Sequence, residues 1–243
     1  MAQSPGFWRR LRRALLWCAA GAVAASVLSV AVLRWVPPLT SAFMVASYLE
    51  AFRDRDFHYR ADYRWTPYSA ISRHAKLAVI ASEDQKFAFH PGFDFEAIDQ
   101  ALAARERGKR LRGASTISQQ VAKNLFLWGG QSFVRKGLEA YLTLLIEALW
   151  PKQRILEVYL NVAEFGPGIY GVGAAAPRYF HEKPAQLTQS QSAILAAVLP
   201  SPRHLHVDRP SGYVLRRQEW IIDQMNTLGG ADYIRSVEHR GER

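Results

Sequence analysis

The chain has 243 residues, enough for one domain of ordinary size plus an accessory segment, and a tight fit for two full catalytic domains. Its 49% hydrophobic and 21% charged residues exclude a disordered chain. The net charge of +10 includes five arginines in the first 36 residues, which hold no acid, so the remainder is only modestly basic. No Lys/Arg cluster interleaved with aromatics follows an RNA or DNA pattern, which excludes nucleic acid as the partner.

From Ala14 to Leu33 the sequence ALLWCAAGAVAASVLSVAVL is uncharged and, as a helix, spans roughly 30 Å of hydrocarbon. Arg9, Arg10, Arg12 and Arg13 precede it, so the positive-inside rule keeps the amino terminus in the cytoplasm and exports the chain beyond Pro37. Residues 1–13 then read as a cytoplasmic basic tail and 14–36 as a transmembrane anchor, with Arg34 and Trp35 as an interfacial collar. A cleaved signal peptide is the alternative, since Ala22, Ala24 and Ala25 are small, but its apolar core usually runs only ~7–15 residues. The only cysteine, Cys18, lies in the anchor, so the exported part cannot depend on a disulfide. A basic domain held at a membrane suggests anionic headgroups or a phosphorylated lipid as partner.

Residues 37–65 read as a connector, a short helix and an extended piece lying over the membrane, ahead of a mainly α domain over 66–243. Thr66-Pro67 signals a helix start, with Ile71, Ala75, Ala78 and Val79 along one face up to Ser82. A second helix starts at Asp94 and ends before the basic turn RERGKRLRG, and a third starts at Ser115 or Thr116, where Gln119 completes a capping box. A fourth runs from Ser132 to Trp150, stopped by Pro151, and a fifth from Lys152 to Leu160. Glycine turns lead to a helix through Arg178. Thr188 and Gln191 cap the next, and Tyr213 to Leu228 forms the last. Alternating strand patterns are almost absent.

Three segments could carry chemistry. In EDQKFAFHPG, Glu83 and Asp84 are either a solvated helix end or an acid held against aromatics, where desolvation would raise its pKa toward working pH. His90 by itself reads as a structural hydrogen-bonder. In GASTISQQVAKN, a glycine turn and capped helix account for Gly113, Ser115 and Thr116 but not for Gln119, Gln120 and Lys123. With Lys123 within one turn of those amides and two turns from the hydroxyls of Ser115 and Thr116, all could line one wall of a polar groove suited to phosphate and sugar oxygens. In RKGLEAYLTLLIE, Arg135, Lys136 and Glu139 are either a surface salt bridge or a carboxylate and two cations able to hold a leaving pyrophosphate. There is no HExxH, Walker loop, SxxK or KTG, and no GxGxxG in the βαβ setting of a dinucleotide-binding fingerprint, which excludes zinc-protease, nucleotide-binding and serine transpeptidase chemistry as these motifs would supply it.

These segments, with KQRILEVYLNVAEFGPGIYGVGAAAPRYF at 152–180, resemble in order the four blocks of the peptidoglycan glycosyltransferase family, specifically its monofunctional membrane-anchored members. The resemblance implies a lysozyme-like α-helical domain that polymerises lipid II, with Leu125 to Trp128 as candidates for a lobe that dips into the membrane. It makes Glu83 the general base that takes the proton of the acceptor's 4-hydroxyl. That oxygen attacks the anomeric carbon of the lipid-linked donor chain and displaces undecaprenyl pyrophosphate with inversion. Glu139 is the second important glutamate, arranging the pyrophosphate directly or through a divalent cation, Mg or Mn. No tightly bound cofactor is implied. Lys123, Arg135 and Lys136 would offset pyrophosphate charge, and Asp84, Phe87, His90, Ser115, Thr116, Gln120 and Asn124 would shape the groove. Implied partners are lipid II, the glycan chain and the inner membrane, together with proteins of cell-wall synthesis or division. A wall-degrading lytic enzyme, using one Glu first as an acid, is the rival from another reaction class. A non-enzymatic membrane scaffold is the third reading.

Overall fold

The computed structural model describes residues 5–107, 115–130 and 132–239. It divides into one unit up to Val36 and a second from Pro37. The first unit is the helix α1 (Pro5–Leu33), of which Trp8–Leu33 is long and apolar enough to cross a membrane. Arg34 follows it and lies over the Trp35 ring at 5.1 Å.

The second unit is mainly helical: α2 (Ala42–Arg53), α3 (Arg73–Glu83), α4 (Phe95–Glu106), α5 (Ile117–Phe126), α6 (Phe133–Leu149), α7 (Lys152–Val162), α8 (Val172–Phe180), α9 (Gln189–Val198), α10 (Gly212–Thr227) and α11 (Ala231–His239). Most starts are where capping chemistry puts them. Asp94 Oδ1 accepts from Ala97 N at 3.0 Å, and capping boxes open α5 at Thr116/Gln119 and α9 at Thr188/Gln191. Pro151 ends α6 and opens α7.

Four expectations are corrected. Thr66 does not cap a helix, because its carbonyl, which would accept the first helical hydrogen bond, accepts instead from the buried Asn161 Nδ2 at 2.9 Å; Pro67 opens a 3-10 turn over Tyr68–Ala70, and Ser72 caps α3. The apolar stripe expected on that helix is a helix buried on all sides, from Ala75 to Ala81, because α9, α10 and α11 all pack on it. Tyr213 to Leu228 is not the last helix, since α11 follows after the Gly229-Gly230 turn. The connector does contain a helix and an extended piece, but β1 (Asp62–Tyr63) belongs to a three-stranded sheet with β2 (Glu164–Gly166) and β3 (Ile169–Tyr170), in the order β1-β3-β2. β1 runs parallel to β3, with Asp62 opposite Ile169, and β2 runs antiparallel to it across a bulge. The turn from this sheet into α8 needs glycine at 171. Its φ is +78°, and a Cβ there would lie 2.4 Å from the Asn161 carbonyl oxygen.

The core lies where α3 meets α9 and α10 and where α5 meets α6 and α7, with Phe87, Tyr159, Phe165 and Tyr170 among its largest buried side chains. The second helix does not end before the basic turn, since α4 continues into it as far as Glu106; the rest of that turn from 108 on, with Gly113 at the head of the third helix's motif, falls outside the described residues.

Candidate active site

Glu83 is the last residue of α3, and its side chain is only 14% exposed. Its Oε2 accepts from Gln120 Nε2 at 3.0 Å, and Tyr159 Oη on α7 donates to Gln120 Oε1 at 3.1 Å. The other oxygen, Oε1, has no hydrogen-bond partner among the described residues and lies 3.8 Å from Arg217 Nη2 on α10. Burial raises the Glu83 carboxyl above its ordinary value and outweighs the opposing pull of Gln120, Arg217 and Lys123, while Asp84 adds to the rise. The negative end of the α3 dipole acts in the same direction. Burial, with Glu83 and Asp84 near, also holds the Tyr159 phenol well above its usual range, so Tyr159 remains a donor.

The second cluster lies on α6. Glu139, 3% exposed, accepts from Arg135 Nη1 at 2.8 Å and from Lys136 Nζ, so the surface salt bridge allowed by the sequence is instead a buried carboxylate. Lys123 on α5 couples the two clusters. Burial pushes its ammonium down, Glu139 and Glu83 push it up, and Arg135 and Lys136 add to the depression. Its Nζ lies 5.4 Å from the Phe43 ring of α2. Gln120, Lys123 and Asn124 line one wall of a cleft of about 310 Å³, faced by Phe43, Glu164 and the Pro200–His204 segment.

Other predicted residues form the framework under this cleft. Asp84 Oδ1 accepts from His90 Nε2 at 2.8 Å and Oδ2 accepts from Ile117 N at 3.0 Å, which pins the turn after Glu83 to the start of α5. His90 Nδ1 accepts from Gly92 N at 3.2 Å, so its proton sits on Nε2. Thr116 Oγ1 donates to the Gly92 carbonyl at 2.7 Å. Gly92, at φ +93°, has no room for a Cβ, which would lie 2.9 Å from both Thr143 and Glu147. Phe87 is fully buried, with its ring edge-on to His90, whereas Phe89 is 58% exposed and turns toward Tyr233. Gln119 is buried in the capping box, and Ser115 is exposed at its mouth.

A transglycosylase family model matches residues 51–226 of this chain. The chain belongs to the transglycosylase family. It is 52% identical over 227 residues to a biosynthetic peptidoglycan transglycosylase of Xylella fastidiosa (strain M23), covering 93% of each chain. Proteins of the same name from Pseudomonas syringae pv. tomato and Pseudomonas entomophila are 53% and 54% identical, covering 94% and 95% of this chain and 95% of each of theirs.

In this transglycosylase the surroundings of Glu139 form no all-protein cage for a divalent ion among the described residues. Both carboxylate oxygens are taken by cations, and no group of three His, Cys, Asp or Glu able to hold a metal occurs among the described residues. Arg135, Lys136 and Lys123 supply the positive charge there. Sequence reasoning missed Tyr159 and Arg217, which reach Glu83 from α7 and α10 through contacts that no local pattern announces. The apolar surface expected at Leu125 to Trp128 is also differently composed. Leu125 and Leu127 are buried, and the outward surface runs through Trp128 (52% exposed), Phe133 (99%) and Val134 (71%).

Proposed function

We propose that this transglycosylase polymerises lipid II into glycan strands, with Glu83 as general base. A carboxylate works as a base near neutral pH when its pKa is raised and one oxygen is not already engaged in a hydrogen bond. Glu83 has both properties: it is desolvated, and Gln120 holds Oε2 while Oε1 accepts no hydrogen bond among the described residues. That buried, unpaired oxygen is the observation that carries the reading.

The acceptor's 4-hydroxyl gives its proton to Glu83 Oε1 as its oxygen bonds to the donor's anomeric carbon. The bond from that carbon to the pyrophosphate breaks, and the electron pair leaves with undecaprenyl pyrophosphate. Backside attack inverts the centre from α to β. Lys123, Arg135 and Lys136 meet the charge that develops on the leaving group, and Glu139 fixes the two α6 cations in place.

The apolar helix is read as a single-pass inner-membrane anchor with the arginine-rich end in the cytoplasm and the catalytic domain outside. Trp128, Phe133 and Val134 are read as the surface that enters the outer leaflet, where both lipid-linked substrates reside. Tethering confines enzyme and substrate to one surface and raises their effective concentration. Purified full chain given labelled lipid II should yield polymer that muramidase degrades. Soluble fragments released from intact sacculi, with no polymer from lipid II, would identify a lytic enzyme instead.

A further inference from the structure

The groups assigned to chemistry lie within residues 51–226, and α11 lies beyond that stretch. This helix packs against α3 and α7, with Ile234 and Val237 buried and Tyr233 only 7% exposed. Tyr233 Oη donates to the Gln85 carbonyl at 2.8 Å and accepts from the Ala88 N–H at 3.2 Å. One hydroxyl therefore satisfies two backbone groups of the turn that directly follows Glu83. The Phe89 ring meets Tyr233 edge-on at 5.9 Å.

The same turn is held from α10. Gln85 Nε2 donates to Gln224 Oε1 at 3.0 Å and to the Ala81 carbonyl in the last turn of α3 at 3.1 Å. A helix's last turn frays because its final carbonyls have no partners within the helix. Here the fraying residue would be Glu83 itself, swinging away from Gln120 and into water. Buried Ala88 has no exposure, so its N–H depends on a protein acceptor, and Tyr233 provides it.

We propose that Tyr233 is a positioning residue for the transfer reaction: its hydroxyl fixes the Gln85–Ala88 turn and, through it, the direction of the Glu83 carboxylate. The inference rests on Glu83 being the base. The groups that bear on Glu83 are Asp84 in its own turn, Gln120 and Lys123 from α5, Arg217 from α10 and Tyr159 from α7. Tyr233 acts on it through the backbone alone.

The test is lipid II polymerisation by the full chain in detergent, followed against pH, for wild type, Tyr233→Phe, Gln224→Leu and Glu83→Gln. Circular-dichroism melts of each variant count the folded protein. Folded Tyr233→Phe should keep KM within about twofold and lose about tenfold in kcat, since a displaced base is a poorly aligned one. The acid limb of its kcat profile should move to lower pH, because a loosened carboxylate is better hydrated. Gln224→Leu should move both in the same direction by less. An unchanged kcat and acid limb in folded Tyr233→Phe would overturn the proposal, as would a loss explained by unfolded protein alone. If Tyr233→Phe does not fold, Gln224→Leu decides, and an unmoved limb there overturns it. Activity retained by Glu83→Gln would instead overturn the assignment of the base, which separates the two failures.

Discussion

The side-chain amide of Gln120 holds Glu83, donating to Oε2 at 3.0 Å, and is itself held by Tyr159 Oη at 3.1 Å. The chain of donors fixes which carboxylate oxygen is engaged and which stays open. Gln120 also favours the charged form of Glu83 against a burial effect that opposes it. In Gln120→Leu the carboxyl should therefore rise further. The acid limb of kcat should move to higher pH, and activity at pH 7 should fall about tenfold as less base is ionised. A pH-rate profile superimposable on wild type would show that Gln120 does not tune the base.

Glu83 should cost stability at neutral pH. An acid whose folded pKa lies above its ordinary value of 4.5 binds more protons folded than unfolded, so stability falls as pH rises from 4.5 through the folded pKa. Glu83→Gln removes that penalty. The variant should melt higher than wild type at pH 7, and the difference should close as pH drops below 4.5. Equal melting temperatures at both pH values would mean that the carboxyl is not desolvated.

Asp84 uses both oxygens, one for His90 Nε2 and one for Ile117 N. In Asp84→Asn the new NH2 must face one of these donors. Leaving a buried donor unmet costs about 2–3 kcal/mol here, which for a domain of this size lowers Tm by about 5–10 °C. Thermal melting measures this directly. A melting temperature unchanged from wild type would free Asp84 for a role in substrate contact.

Lys123 is the cation that faces both carboxylate clusters. Lys123→Met should lower kcat by about 10²–10³-fold, the scale for losing one preorganised charge that acts on the leaving group. Its fold should persist, because the change also removes a partly desolvated ammonium. A loss confined to KM would place Lys123 in ground-state binding only.

Much of the fold was legible because helix starts and stops are local. Thr116 with Gln119, Thr188 with Gln191, Asp94 and Pro151 each carry their own capping or breaking chemistry. The start of α3 was misread because Thr66 carries the same local signal as Ser72, and a residue almost a hundred positions away, Asn161, decides between them. The burial of Glu139, the approach of Arg217 to Glu83 and the hydroxyl of Tyr233 are likewise long-range outcomes of packing. Lys76 illustrates the same limit: it sits 4% exposed inside α3, over the Tyr68 ring at 3.6 Å, with burial pushing its ammonium down to about 8. Sequence spacing grouped Gln119, Gln120 and Lys123, of which Gln120 and Lys123 line one wall of the cleft beside Asn124, the residue the resemblance added, while the capping box turns Gln119 inward.

The most direct test of Glu83 as base is the pH-resolved rate of lipid II polymerisation by equal amounts of folded wild type and Glu83→Gln. Wild type should build muramidase-sensitive polymer with an acid limb above 4.5, and Glu83→Gln should lose about 10³-fold at every pH. Glu83→Gln working within tenfold of wild type, with the same acid limb, would contradict it.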